Sequence, residues 1–156
     1  MVAQDAPADV TVAAVMSTRL ITVEANAALA EARDLLRRHD IHHLLVTDRH
    51  QVVAVLSDRD LLRSVSPFVG TISEQVRDAH TLLRPVFQLA SYHPRTVRPE
   101  ASVTEAAAIM LEHEISCLPV ADRWGRTVGV VTTRDLLRGL LACALPASGR
   151  QPPRAA

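Results

Sequence analysis

The sequence predicts an α/β (mixed α+β) fold made of two copies of a β-α-β-β-α unit. One stretch occurs twice, at residues 55–63 and 130–138, as an aliphatic run, a hydroxyl residue and then Arg-Asp-Leu-Leu-Arg. An aliphatic run rich in β-branched residues indicates a buried strand. A hydroxyl residue with an acid three positions later is typical of a helix N-terminus, with Asp in place of the usual Glu of a capping box. Each copy is therefore predicted to be a strand that runs directly into a helix.

The repeat extends well beyond this stretch. Ser17 aligns with Ser91, His39 with His113, and, after a one-residue insertion at Gly125, Asp60 with Asp135. The insertion falls in a predicted hairpin turn, where an extra residue is best tolerated. A repeat that preserves the order of elements as well as the residues outweighs any local motif.

The elements of the first copy follow from hydrophobic spacing. Helical spacing predicts a short helix that Asp9 caps, and an unbroken run of good helix formers predicts a longer one. Short apolar runs around a polar turn predict a hairpin. In order, these are a helix at 10–16, a strand at 20–23, a helix at 27–39, strands at 44–46 and 53–56 around a turn at 48–51, and a helix from Ser57 that ends before Pro67.

Pro67 and Gly70 break the chain between the copies. A connector helix is predicted at 73–83, with apolar contacts from Val76, Leu82 and Leu83, and a short helix at 86–90 that matches the one at 10–16. The predicted organisation is a flexible N-terminus (1–9), repeat 1 (10–66), a connector (67–84), repeat 2 (85–143) and a disordered Pro-rich tail (144–156).

Composition excludes several classes of function. Seventeen basic residues balance seventeen acidic ones, so the basic excess typical of nucleic-acid binding is missing. No apolar run approaches the ~20 residues of a membrane span, and the first residues lack the features of a signal peptide. Two cysteines, Cys117 and Cys143, fit a reducing compartment better than a disulfide framework. We expect a cytoplasmic protein without a membrane or nucleic-acid partner.

The doubled stretch has two interpretations from the residues alone. A helix N-terminus presents unpaired N–H groups and a partial positive charge, which suit an anion such as phosphate. Alternatively, Asp60 and Asp135 do no more than cap the two helices.

Five segments of the second copy carry a resemblance to a known family: 95–99, 105–106, 115–120, Asp122 and 129–135. The last is a Gly-apolar-apolar-Thr-x-x-Asp motif. The first copy carries a weaker version at 54–60. With these segments the chain resembles the tandem cystathionine-β-synthase (CBS) domain pair, or Bateman module, of stand-alone bacterial type, over about residues 10–66 and 85–143. The resemblance implies two repeats packed with pseudo-twofold symmetry and two clefts between them.

The resemblance also implies a function. Such modules commonly bind adenosine-containing ligands (AMP, ADP, ATP, S-adenosylmethionine or NAD), form disc-like homodimers and regulate partners rather than catalyse. We therefore expect a regulatory module that senses an adenine nucleotide, requires no cofactor, and acts through conformational change or an unknown regulated protein. The alternative is a dimerisation or scaffold module without a physiological nucleotide.

Roles for individual residues follow by family position. The two acids would accept hydrogen bonds from ribose hydroxyls, since anions do not suit phosphate. Asp135 is the stronger candidate because Gly129 and Pro119 stand where the family expects them, whereas the first copy has Ala54, Leu45 and two bulky histidines. The residues expected to bind ribose are Asp60 and Asp135. Those expected to bind phosphate are Ser57, Arg59, Thr132, Thr133 and Arg134. Those expected to form the adenine walls are Met16, Ser17, Leu20, Ile21, His42, His43, Ala90, Ser91, Arg95, Thr96, Ser116 and Cys117.

Other reactive residues point elsewhere. His39, His42 and His43 do not share a helical face, because the helix is predicted to end at residues 40–41, so no metal site is expected. Cys117 is interpreted as a small buried residue on a strand. The sequence contains no Gly-rich phosphate loop and no nucleophile motif, so no enzyme is expected.

Overall fold

The computed structural model describes residues 10–66, 69, 72 and 75–144. Predictions for the N-terminus, for the breaks at Pro67 and Gly70, for the first two residues of the connector helix and for the tail lie outside these residues. The described helices and strands are α1 (Val12–Val15), β1 (Thr22–Glu24), α2 (Leu29–His39), β2 (His43–Asp48), β3 (Gln51–Ser57), α3 (Asp58–Ser64), α4 (Val76–His80), β4 (Ser91–Tyr92), α5 (Val103–Glu112), β5 (Cys117–Ala121), β6 (Thr127–Thr132) and α6 (Thr133–Ala144), with 3₁₀ turns at Thr81–Leu83 and Val86–Gln88.

The first half contains a four-stranded sheet in the order β1-β2-β3-β4. β1 runs parallel to β2, whereas β3 is antiparallel to both β2 and β4. The β2–β3 hairpin turns through Arg49 and His50, whose φ angles are 49° and 65°. Two consecutive residues with positive φ give a turn whose twist matches that of the flanking strands.

The second half repeats this plan in reduced form. β5 and β6 form an antiparallel hairpin, and Val97 makes a single parallel bridge to Val120 where the first half has β1. The hairpin turn contains the inserted Gly125 at φ 81°, so the predicted position of the insertion is confirmed. The α/β fold class with two β-α-β-β-α units is confirmed as well.

The leading segments of the two repeats are exchanged in space. Ser17 and Val130 exchange backbone hydrogen bonds of 2.9 Å in both directions, whereas Ser91 pairs with Val55 in the first sheet. The second sheet therefore ends in the leading segment of repeat 1, and the first sheet ends in the leading segment of repeat 2.

The two apolar cores show the same exchange. Val12, from the start of repeat 1, is fully buried in the core formed by α5, α6, β5 and β6. Val86, from the start of repeat 2, is fully buried in the core under α2, β2 and β3. In α2, Leu29, Ala32 and Leu36 are buried and belong to this first core. Neither core is complete without residues from both repeats.

The connector differs from the prediction. The helix tightens into a 3₁₀ turn at Thr81, where about three residues per turn leave one residue per turn facing inward. Leu82 is that residue and is buried, but Val76 and Leu83 are 76% and 67% exposed. The predicted apolar contacts of Val76 and Leu83 are therefore wrong. In the part of the chain that the structure describes, no helix is long and apolar enough to cross a bilayer.

The exchange predicts which half a core substitution loosens. Val12→Ala should lower the free energy of unfolding by about 2 kcal/mol, because two buried methyl groups are lost and a cavity remains. Urea unfolding measures this loss, and amide hydrogen exchange should accelerate first in β5 and β6. The matched control Val76→Ala, on an exposed position, should cost less than about 0.5 kcal/mol. Faster exchange in β2 and β3 instead would contradict the exchange of segments.

Candidate functional site

The junction between β3 and α3 is a complete capping box. Oγ of Ser57 accepts a hydrogen bond from the backbone N–H of Asp60 (3.2 Å), and Oδ2 of Asp60 accepts from the backbone N–H (3.3 Å) and hydroxyl (2.5 Å) of Ser57. The sequence prediction that Asp replaces Glu in this box is confirmed. The acid thus fixes the first turn of α3 at the end of β3.

At the equivalent junction between β6 and α6 the carboxylate accepts the same two hydrogen bonds. Oδ2 of Asp135 accepts hydrogen bonds from the backbone N–H (3.0 Å) and the hydroxyl (2.6 Å) of Thr132. The other oxygen, Oδ1, lies 3.5 Å from Nη1 of Arg138, one turn along the helix. In both copies Oδ2 completes the cap, so Oδ1 is the oxygen that each carboxylate can offer to a ligand.

A cleft of about 490 Å³, the Asp135 cleft, lies between the two halves. Its volume is within the usual range of about 300–1,000 Å³ for small-molecule sites. The structure brings together nine predicted residues here: Ser17, Ile21, His42, His43, Ser116, Thr132, Thr133, Arg134 and Asp135. Six further lining residues were not predicted: Arg19, Asp40, Ile41, Leu45, Val130 and Arg138.

A second cleft of about 380 Å³, the Asp60 cleft, occupies the repeat-related position. Eight predicted residues line it: His43, Ser57, Arg59, Asp60, Ser91, Arg95, Ser116 and Cys117. Seven others were not predicted: Val55, Arg63, Tyr92, His93, Pro94, Glu114 and Ile115. Because of the exchange, each cleft combines the leading segment of one repeat with the strand-to-helix junction of the other.

Four predicted adenine-wall residues line neither cleft: Met16, Leu20, Ala90 and Thr96. Met16 packs against the second core, where a Cβ at position 129 would lie 2.5 Å from its Sδ. Ala90 packs against the first core, Leu20 is half-buried, and Thr96 is exposed. Gly129, taken from the sequence as part of a ligand motif, thus has a packing role as well, since it makes room for Met16.

Two of the arginines that the prediction missed were visible in the sequence. Arg63 and Arg138 follow the capping acids by three positions, which places acid and arginine on the same face of a helix. Arg19 and Asp40 gave no such indication. The exchange of segments brings Arg19 to the Asp135 cleft, whereas Asp40, the C-cap of α2, lines it from the first half.

A larger cavity, of about 510 Å³, lies beside Asn26 and Asp48 on the first sheet. It shares residues 92–94 with the Asp60 cleft. It contains neither capping acid and neither helix start. Size alone therefore does not identify the functional site in this fold.

Two histidines and a cysteine line the clefts, and burial shifts the pKa of His43 and of Cys117. Nδ1 of His42 lies 2.7 Å from Oδ2 of Asp58, and Nε2 of His43 lies 2.9 Å from Oγ of Ser116. Burial lowers the pKa of His43, against an opposing effect from nearby Asp58. Burial, with a contribution from the Asp135 charge, raises the pKa of Cys117 to about 12. The Cys117 thiol is thus protonated at neutral pH, and its expected burial on a strand is confirmed.

The class of protein follows from the duplicated fold, its paired clefts and its family match. The CBS domain profile matches the chain twice, at residues 12–67 and 86–142. The chain therefore belongs to the CBS domain family, and the resemblance inferred from its motifs is confirmed.

Individual relatives agree in length and fold. A CBS domain-containing protein of Dictyostelium discoideum is 34% identical over 133 residues, which are 84% of this chain and 91% of that protein. Among solved structures, CBSX2 of Arabidopsis thaliana in complex with AMP is 28% identical, with a TM-score of 0.70 over 86% of this chain and 98% of the other. The CBS domain pair of protein MJ0100, in complex with 5′-methylthioadenosine and S-adenosylmethionine, is 25% identical, with a TM-score of 0.68 over 83% and 98%.

The lowered pKa of His43 predicts a pH-dependent stability. Because the unfolded chain protonates this histidine near its ordinary pKa of about 6.5 and the folded chain only at lower pH, the free energy of unfolding should fall as the pH drops through about 6.5. His43→Gln should remove this part of the pH dependence. Urea unfolding at about pH 8 and about pH 5.5 measures it. An identical loss of stability on acidification in both proteins would show that His43 does not contribute.

Proposed function

We propose that this chain is a regulatory CBS module that binds an adenosine-containing ligand in the Asp135 cleft. The observation that carries the proposal is the combination, in one cleft between the halves, of a carboxylate oxygen, a helix start and an aliphatic wall. The ligands named for CBSX2 and protein MJ0100 are all adenosine compounds, which supports this ligand class.

The ribose would bind to Oδ1 of Asp135. Oδ2 is held by the cap, whereas Oδ1 has only the longer contact to Arg138. A hydrogen bond from a ribose hydroxyl to a charged acceptor contributes roughly 1.5–3 kcal/mol. Ribose binding would also release Arg138, whose side chain is largely exposed.

Phosphate would bind at the start of α6. The N-terminus of this 12-residue helix favours anions, and Arg134 and Arg138 lie on the cleft with it. Arg19, from the exchanged segment, lines the same cleft. Guanidinium groups suit phosphate because they form two parallel charge-assisted hydrogen bonds.

The base would lie against an aliphatic wall. Ile21, Ile41, Leu45 and Val130 line the Asp135 cleft, and an apolar lining of this kind suits a purine ring. The Asp60 cleft is smaller and has Arg95 where the repeat register places Ile21 in the other. The Asp135 cleft is therefore the primary site.

Regulation would follow from the position of the clefts between the halves. A ligand that contacts both halves shifts an equilibrium only by its different affinity for two arrangements of them. No reaction is proposed, and Cys117, whose pKa burial raises to about 12, is protonated at neutral pH and does not act as a nucleophile. The output is a change in shape or in affinity for a regulated protein in the cytoplasm.

A second copy of the chain is the proposed structural partner. Leu62 on α3 and Leu137 on α6 occupy equivalent repeat positions and are 74% and 55% exposed. Exposed leucines at repeat-related positions on two helices suit the self-complementary interface of a homodimer.

A ligand-free dimerisation module is the second candidate. It is favoured by the capping contacts, because Asp60 and Asp135 have a structural role without any ligand.

Calorimetric titration with AMP separates the two candidates. The wild-type chain should bind AMP, and Asp135→Ala should weaken binding roughly ten- to a hundredfold, or about 1.4–2.8 kcal/mol. Asp135→Asn should weaken it too while retaining an oxygen that can cap the helix. Glu105→Ala, in the first turn of α5 and away from both clefts, is the matched control and should leave the affinity unchanged.

Two outcomes count against the proposal. Unchanged affinity in both Asp135 variants would mean that the ribose binds elsewhere. No heat and no thermal shift with AMP, ADP, ATP, NAD or S-adenosylmethionine at millimolar concentration would favour the ligand-free module.

A further inference from the structure

Two side chains, His43 and Ser116, line both clefts. Nε2 of His43 lies 2.9 Å from Oγ of Ser116. The bond joins the start of β2 in the first half to the residue that precedes β5 in the second. One side-chain hydrogen bond therefore lies between the two clefts and ties the halves together.

Backbone hydrogen bonds connect this pair to both helix starts. The N–H of Thr133, the first residue of α6, donates to the carbonyl of Ser116 (3.1 Å). The N–H of Asp58, the first residue of α3, donates to the carbonyl of His42 (2.9 Å). A continuous series of hydrogen bonds and peptide links thus runs from the Asp135 junction to the Asp60 junction through the His43–Ser116 pair.

The bond can be reached by a ligand from either cleft, because both of its side chains line both clefts. Ser116 has a single hydroxyl proton, and a neutral imidazole has one donor nitrogen and one acceptor nitrogen. The lowered pKa of His43 keeps its ring neutral at neutral pH. A ligand that takes the place of either partner in this bond, or that displaces the His43 ring, breaks the same bond from either cleft.

We propose that the His43–Ser116 hydrogen bond couples the two clefts, so that a ligand in one cleft breaks it and raises the affinity of the other. The inference rests on the proposed function, since it requires that both clefts accept an adenosine ligand. The first ligand breaks the bond, so its binding free energy is reduced by the strength of that bond. The second ligand binds without this cost, which gives positive coupling.

The size of the effect follows from the strength of one bond. A protein hydrogen bond has a net value of about 0.5–1.5 kcal/mol. At about 1.4 kcal/mol per decade, the second ligand should bind roughly two- to tenfold more tightly than it would to the same cleft with the other one empty.

Calorimetric titration with AMP tests the coupling in the full chain. Asp60→Ala and Asp135→Ala each leave one cleft intact, and they give the affinity of that cleft when its neighbour is empty. The wild-type chain gives the affinity when the neighbour is filled. The same three measurements in the Ser116→Ala background complete the cycle, in which any direct effect of Ser116 on binding cancels. Thermal melting confirms that each variant is folded.

In the wild-type background, we expect each cleft to bind AMP roughly two- to tenfold more tightly when its neighbour is filled than when it is empty. This difference in affinity should disappear in Ser116→Ala and in His43→Ala. Independent binding of two AMP molecules by the wild type, or coupling that persists in Ser116→Ala, would overturn the coupling and leave the nucleotide site intact. Binding of a single AMP at all concentrations would overturn the coupling as well. Binding of no AMP at all would overturn the proposed function and the coupling with it.

Discussion

The structure depends on a reciprocal strand exchange. Ser17 pairs with Val130 at the end of the second sheet, and Ser91 pairs with Val55 at the end of the first. The backbone hydrogen bonds at these two edges join each sheet to the leading segment of the other repeat. Val12 and Val86 extend the exchange into the cores. The clefts exist only because of this arrangement, as each one has walls from both repeats.

The strand-to-helix junctions have two roles that use different atoms. Oδ2 of Asp60 and of Asp135 completes a cap, which contributes about 1 kcal/mol to helix stability. Oδ1 of each acid remains for a ligand, and at Asp135 its neighbour is Arg138. The capping interpretation and the ligand interpretation of the doubled stretch are therefore compatible. A substitution that removes the acid affects both roles, which is why an asparagine variant is informative.

The sequence predicted the repeat, and with it the fold class, the capping box and most residues of both clefts. Periodicity and capping are local properties, so one sequence is enough to show them. The exchange of segments is not local, and neither the entry of Arg19 into the Asp135 cleft nor the distance of Met16 from it could be inferred. The pairing of Gly129 with Met16 illustrates the difficulty. In the first half the corresponding pair is Ala54 and Ala90. Position 129 therefore belongs to a ligand motif and, by being glycine, also makes room for the larger Met16 side chain.

The two halves are similar but not equivalent. The second half lacks a full first strand, retaining only the Val97–Val120 bridge, yet its junction faces the larger of the two clefts between the halves. The central claim is that this composite cleft is where an adenosine ligand binds. A crystal structure grown with AMP tests it most directly. The account predicts AMP in the Asp135 cleft, with its ribose at Oδ1 of Asp135 and its base against Ile21 of the other repeat. AMP in contact with only one repeat, or in the cavity beside Asn26, would contradict it.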